Sequence, residues 1–291
     1  MKVALIQCPS WSETAPPYAL GLLAACLRQA GHEVYCFDLN INFYNYLKKS
    51  NAELSWGTSG GSNSWFEIDY VHKLIEDNKT YIERLVCQIL DVGTQVIGFT
   101  VQDTSRIFSE RIAEMIKEKD KEKIIIFGGP SCFENSLYHL NFLQKAYIDA
   151  ICLQEGEIAF LDLLRQLEEK NELGFCQGFA YRDKSGEIIH CGRKELIQDL
   201  DKLPFADFSG FSHREYGRKT LPISTSRGCI YRCAFCNEAP IWGRYRNRSA
   251  KNIYNEIVYQ LRRSPEIENF FFNDSLINGN IGILNELADL I

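Results

Sequence analysis

The chain has 291 residues, 45% of them apolar and 24% charged, and a formal net charge of −6. This is the composition of a globular protein with length for about two domains at roughly 150 residues each, and its acidic balance argues against a general nucleic-acid binder. No apolar run is long enough to span a bilayer, and the N-terminal MKVALIQCPSWS lacks the h-region and cleavage site of a secretion signal.

In chain order, VALIQC (3–8) predicts a first strand. Pro16 and Pro17 open a helix over 18–30 that Gly31 closes, the expected proline-to-glycine punctuation. EVYCFDL (33–39), VIGFTV (96–101), KIIIFGG (123–129) and DAICL (149–153) predict four more strands. These runs are continuously apolar, so both faces are expected to be covered. Helices are expected over 109–119 and 158–170. The alternation predicts an α/β fold, a doubly wound parallel sheet over residues 1–170. The long connection 40–94 is expected to hold one helix at 67–90. Its Gly/Ser/Asn stretch at 55–65 reads as a surface excursion whose Trp56 and Trp65 pack down, in preference to a lid.

Residues 171–217 read as a connector. It contains a hairpin over 178–190 with its turn at Asp183–Gly186, flanked by Cys176 and Cys191. From 218 onward the pattern predicts a strand over 221–228, a helix over 247–265 with Ser249 as cap, a strand over 268–274 and a helix over 281–291.

Eleven cysteines, an odd count in a chain without a secretion signal, read as free thiols in a reducing cytosol. Cys8, Cys26, Cys36, Cys87 and Cys152 fall in apolar elements, where a thiol acts as a small hydrophobe. Cys229, Cys233 and Cys236 differ. They stand in SRGCIYRCAFCNEA (226–239) at spacing C-x3-C-x2-C, on a loop at the C-terminal end of a strand. A structural zinc site closes with four ligands, and residues 237–291 hold neither His nor Cys. An iron–sulfur cubane suits thiolates better, and three ligands leave one iron open to a substrate.

This motif, with Phe235 before its last cysteine, resembles the radical S-adenosylmethionine (SAM) superfamily. STSRGC…CAFC and WGRYRNRS (242–249) look like the subfamily with an N-terminal cobalamin-binding domain. Residues 16–39, 96–103, 124–131 and 153–164 are similar to that domain in order. The resemblance implies a flavodoxin- or Rossmann-like cobalamin-binding domain, then the first strand–helix units of a radical SAM partial (β/α)6 barrel over 218–291. It also implies that the chain is C-terminally truncated and by itself incomplete for catalysis. Cys229, Cys233 and Cys236 would ligate a [4Fe-4S] cluster whose open iron binds SAM. The cluster would cleave SAM reductively to a 5′-deoxyadenosyl radical, with methyl transfer to an unactivated carbon as the reaction. Phe235 would pack near adenine, and Asn273 and Asp274 would either reach the SAM amino group or form a turn. Cobalamin would meet Ser10, Trp11, Gln102, Asp103, Thr104, Gly128, Gly129 and Pro130. Glu155 and Gly156 would also meet it or simply start a helix. The chain lacks the Asp-x-His-x-x-Gly signature of mutase-type domains, so cobalt is expected to carry no protein imidazole.

The resemblance further implies a cytoplasmic enzyme with a small-molecule or peptide substrate, an electron donor such as flavodoxin or ferredoxin, and neither nucleic acid nor membrane as partner. Competing readings are a radical SAM enzyme without cobalamin and a non-catalytic metal-binding fragment. A methylthiotransferase is weaker, since its extra cluster would need Cys8, Cys36 and Cys87.

Overall fold

The computed structural model describes residues 1–49, 56, 62–134, 136 and 138–291. Strands β1 (Lys2–Gln7), β2 (Glu33–Asp38), β3 (Val96–Thr100), β4 (Ile124–Gly128) and β5 (Ala150–Cys152) are parallel, in spatial order β2-β1-β3-β4-β5. The order reverses between β1 and β3, the place where sheets of this kind open a ligand crevice at their C-terminal ends. The expected hairpin is present as β6 (Phe179–Arg182) and β7 (Ile188–His190), and it continues the sheet, antiparallel to β5. Its turn is held by Asp183, whose Oδ1 accepts from the amides of Ser185 (2.8 Å) and Glu187 (2.9 Å).

Alternate residues of β1 enter two separate cores, as the two-residue strand period requires. Val3 and Leu5 pack with α1 (Tyr18–Gln29). Ala4 and Ile6 pack with the opposite layer: α2 (Leu39–Lys49), α3 (Ile68–Asp77), α4 (Lys79–Asp91), α5 (Arg106–Lys119) and the short α6 (His139–Phe142). Helix α7 (Gly156–Lys170) lies beside α1, with Phe160 and Leu164 in the same core. The apolar runs of the strands are therefore covered on both faces, as expected.

The long connection departs from the sequence reading in two ways. It begins with α2, where no element was expected. The single helix expected at 67–90 is two, because Asn78 leaves helical geometry (φ −118°, ψ 21°) and donates its side-chain amide to the Leu74 carbonyl at 2.8 Å. Most of the 55–65 stretch lies outside the described residues. Its two tryptophans pack down as expected: Trp65 is fully buried, and its ring meets that of Trp56 edge-on at 4.9 Å.

After the connector come β8 (Thr220–Ile223), β9 (Ser226–Arg227), α8 (Glu238–Trp242), β10 (Arg246–Asn247), α9 (Ala250–Arg263), β11 (Asn269–Phe272) and α10 (Ile281–Leu290). Strands β8 and β11 are parallel, and Ile223, Ala250, Ile253 and Leu287 form a small core with α9 and α10. Ser249 caps α9, its Oγ accepting from the Asn252 amide at 3.2 Å. Leu221 and Ile267 join the core of α1 and α7, so the two parts share one apolar interior. Among the described residues, no helix is long and apolar enough to cross a membrane.

The connector is pinned at the end of β2. Tyr216 donates its hydroxyl to Asp38 Oδ2 at 2.8 Å, and the Ile41 amide donates to Oδ1 at 3.0 Å. Burial pushes the Asp38 carboxyl up to about 7, against these two hydrogen bonds. Between about 4 and about 7 the folded chain thus holds a proton that the unfolded chain releases, so stability falls as pH rises through that window. The loss is on the order of a few kcal/mol. Asp38→Asn is expected to flatten it, which urea denaturation at the two ends of the window reads directly; an unchanged pH slope would contradict the assignment.

Candidate functional site

A cavity of about 280 Å³ opens at the C-terminal edge of the sheet, at the β1/β3 reversal. Its floor is apolar: Leu5, Gly98 and Ile126 stand side by side on adjacent strands, beneath Leu20 of α1 and Phe160 of α7. Gly98 opens this floor, since a Cβ there would stand 3.3 Å from both Leu5 and Phe160. The rim is polar. Gln7 Nε2 donates to the Cys8 carbonyl (2.8 Å) and to Gln102 Oε1 (3.2 Å), while its own Oε1, fully buried, has no partner among the described residues. Gly129 has φ +94°, and a Cβ there would stand 2.9 Å from the Val101 amide nitrogen and carbonyl oxygen, so only glycine lets the backbone line the rim at this point.

Asn40 organises the rim from behind. It is fully buried; its Oδ1 accepts from the Trp11 amide (2.8 Å) and from Trp56 Nε1 (3.0 Å), and its Nδ2 donates to the Ser12 carbonyl (2.8 Å). Thr104 Oγ1 donates to the Ser10 carbonyl at 2.8 Å, tying the loop after β1 to the loop after β3. Asp103 accepts from Ser131 Oγ at 2.5 Å and ties that loop to the one after β4.

The far wall is Ser224, Ser226, Arg227, Gly228 and Trp242, the residues flanking the three cysteines. The strand expected over 221–228 is divided into β8 and β9. Asp274 gathers the backbone between them: its Oδ1 accepts from the Thr225 amide and hydroxyl (both 3.0 Å) and from the Ser226 amide (2.5 Å) and hydroxyl (2.6 Å). The cysteine loop then runs out toward solvent. Cys233 is exposed and Cys229 and Cys236 are partly so. The Cys236 amide donates to the Cys233 carbonyl at 3.0 Å, and the Tyr231 amide to Cys229 Sγ at 3.4 Å. Among the described residues, no three His, Cys, Asp or Glu side chains converge as ligands of one metal ion do. A cubane binds each thiolate at a different iron, so its sulfurs must surround one common space but need not meet at a single ion. Cys8, Cys26, Cys36 and Cys152 are poor ligand candidates, since burial pushes each thiol up to about 12.

Between cavity and cysteines lies a buried charge cluster. Arg227 pairs with Glu155 (2.7 Å) and Glu157 (2.5 Å), and Arg246 pairs with Glu155 (2.9 Å). Glu155 Oε2 also accepts from the Ile197 amide at 2.8 Å. Both carboxylates sit at the N-terminus of α7, where the helix dipole favours them.

Of the residues expected at the site, Trp11, Gln102, Gly128, Gly129, Pro130, Glu155, Gly156 and Asn273 line the cavity. Ser10, Asp103 and Thr104 brace its loops, and Asp274 holds the β8–β9 turn. Phe235 stands 91% exposed, away from the cavity. Sequence reading passed over Gln7, Tyr18, Phe133, Arg227 and Trp242, which also line it. A clue for Arg227 was its place two residues before Cys229.

No family model matches the chain. It is 30% identical over 200 residues to the anaerobic magnesium-protoporphyrin IX monomethyl ester cyclase of Synechocystis sp., a match covering 67% of this chain and 39% of that one. It is 26% identical over 187 residues to the cobalamin-dependent radical SAM methyltransferase TokK of Streptomyces tokunonensis, covering 60% of this chain and 26% of that one. The radical SAM methyltransferase TsrM of Kitasatospora setae, solved with cobalamin and a [4Fe-4S] cluster bound, superposes with a TM-score of 0.62 at 17% identity, covering 99% of this chain and 51% of that one. The chain thus spans between about a quarter and a half of the length of these proteins. The ordered strand-end motifs, the cysteine spacing and these relatives agree, and the chain is similar to cobalamin-dependent radical SAM proteins.

Proposed function

We propose that this chain is the cofactor-binding part of a cobalamin-dependent radical SAM enzyme, with methyl transfer to an unactivated carbon as its reaction class. One observation carries the reading: a single cavity is lined both by the strand ends of the parallel sheet and by Ser226–Gly228, the residues that lead into the three cysteines. The cavity fits a flat ring with polar substituents, having an apolar floor, a glycine rim at Gly129 and a buried amide oxygen at Gln7 free to accept. The cysteine loop fits a cluster in its donor set, three free thiols on one partly exposed turn. When bound, the cluster and cobalamin supply the reductive cleavage of SAM and a carrier for its methyl group. The chain's own residues hold and orient. Cys229, Cys233 and Cys236 would anchor the cluster, Asn273 lies on the wall open to SAM, and Trp11, Gln102, Gly128 and Gly129 would face the corrin. The loop exposes Ile230, Tyr231 and Phe235 beside the thiols, a surface for a substrate to cover. A flavodoxin- or ferredoxin-like donor in the cytoplasm would deliver the electron, in keeping with the free thiols.

None of the five histidines lines the cavity. Anaerobically reconstituted chain is therefore expected to retain hydroxocobalamin through gel filtration. The electron paramagnetic resonance (EPR) spectrum of its cob(II)alamin is expected to show no histidine nitrogen coupling. Failure to retain corrinoid would favour the radical SAM reading without cobalamin; a histidine-coupled spectrum would refute the expectation that cobalt carries no protein imidazole.

A further inference from the structure

Both ends of the cysteine loop are bolted to the first domain at one place. At the leading end, Arg227 is tied to Glu155 and Glu157 at the start of α7, with its side chain only 10% exposed and those of the two carboxylates 3% and 13%. Only Gly228 separates it from Cys229. Gly228 has φ +78°, and a Cβ there would meet the Arg244 carbonyl oxygen and Trp242 Cβ at 3.2 Å, so this joint has little slack. At the trailing end, Cys236 leads into α8, whose Trp242 faces the Arg227 guanidinium at 5.6 Å and meets Phe133, in the loop after β4, edge-on at 5.8 Å. Arg246 closes the arrangement by pairing with Glu155 and donating to the Ile197 carbonyl at 2.6 Å.

We infer that Arg227 is a positioning residue: through Glu155, Glu157 and Trp242 it sets where the cysteine loop stands relative to the cavity, and so the spacing of the two cofactors. The inference rests on the reading above that cluster and corrinoid occupy these two places. Its physical basis is charge balance in a dry setting. Two arginines and two glutamates neutralise one another, and removing one partner of a buried pair leaves a charge that must find water. Arg227→Met leaves Glu155 paired with Arg246 but frees Glu157, so the wall is expected to loosen while the sheet stays folded.

Two measurements test this, one of which needs no cofactor. In the apo chain, hydrogen exchange at the β9 and β10 amides is expected to speed by about tenfold or more in Arg227→Met, and Arg227→Lys is expected to recover part of that protection. In the reconstituted chain, the spin relaxation that reduced cluster and cob(II)alamin impose on each other is expected to weaken in Arg227→Met, compared per chain loaded with both cofactors. Unchanged exchange together with unchanged relaxation would overturn the inference. Should Arg227→Met fail to fold, Glu157→Gln, which removes one of the two anchors, must shift exchange in the same direction or the inference falls. If the wild-type chain takes up neither cofactor, the functional reading fails, while the exchange result still decides whether Arg227 holds the wall.

Discussion

Replacing Cys233 with alanine is expected to reduce iron and sulfide in the reconstituted chain from about four of each to a small residue, with the fold intact. Cys233 is the exposed member of the three, and among the described residues no hydrogen bond to its sulfur holds the loop. Circular dichroism and thermal unfolding of the apo variant should therefore match wild type. Cys229→Ala and Cys236→Ala are expected to behave alike, since a cubane with two protein ligands is readily lost. Cys87→Ala is the control, an exposed thiol on α4 that lies away from the loop and is expected to leave iron unchanged. A Cys233 variant that still binds about four irons would refute the ligand assignment. Zinc at about one per chain in the wild type, with no sulfide, would refute the cluster.

The second large effect lies in the buried pair of Arg248 and Glu256. Their side chains are 7% and 1% exposed, and the guanidinium donates directly to Glu256 Oε2. Glu256 Oε1 accepts from the Ala206 amide at 3.0 Å, Gln260 Nε2 donates to the Ala206 carbonyl at 2.7 Å, and Arg248 donates to the Ser224 carbonyl at 2.8 Å. The pair thus joins α9, the connector and the turn after β8. Glu256→Gln keeps the shape and leaves the arginine without its counter-charge, at an expected cost of about 3–5 kcal/mol. A fall in Tm on the order of 10 °C follows for a chain of this size. Glu286→Gln, on the exposed side of α10, should change stability by less than about 0.5 kcal/mol. Equal stability of the two variants would show that the pair is not what joins these elements.

The parallel strands could be read from sequence because each is an unbroken apolar run, which only a sheet covered on both faces tolerates. The cysteine loop stood out by its spacing and by its place after a strand. Helix α2 was not: it follows β2 without a turn, Asp38 at its start is also the last residue of that strand, and Leu39-Asn40-Ile41-Asn42-Phe43 alternates with the two-residue period of a strand. The split at Asn78 was hidden because α3 and α4 keep a common apolar period across it. The charge cluster has no local signature, since Arg227 meets residues about 70 positions earlier and Arg246 one 91 positions earlier. Glu155 and Gly156 read as a helix start or a corrin contact. Both lie on the cavity wall, and Glu155 in addition serves an ion pair that only the tertiary fold reveals.

Asn40 has a consequence for remodelling the protein. One side-chain oxygen receives both the backbone of Trp11, on the cavity rim, and the indole of Trp56, from the long excursion between β2 and β3. A transplanted excursion from a relative would have to bring an indole or an equivalent donor to that oxygen. Without one, Asn40 loses one of the three hydrogen bonds that fix its amide, and its hold on the loop after β1 slackens. Exchange of that excursion is thus a route to altering which molecules enter.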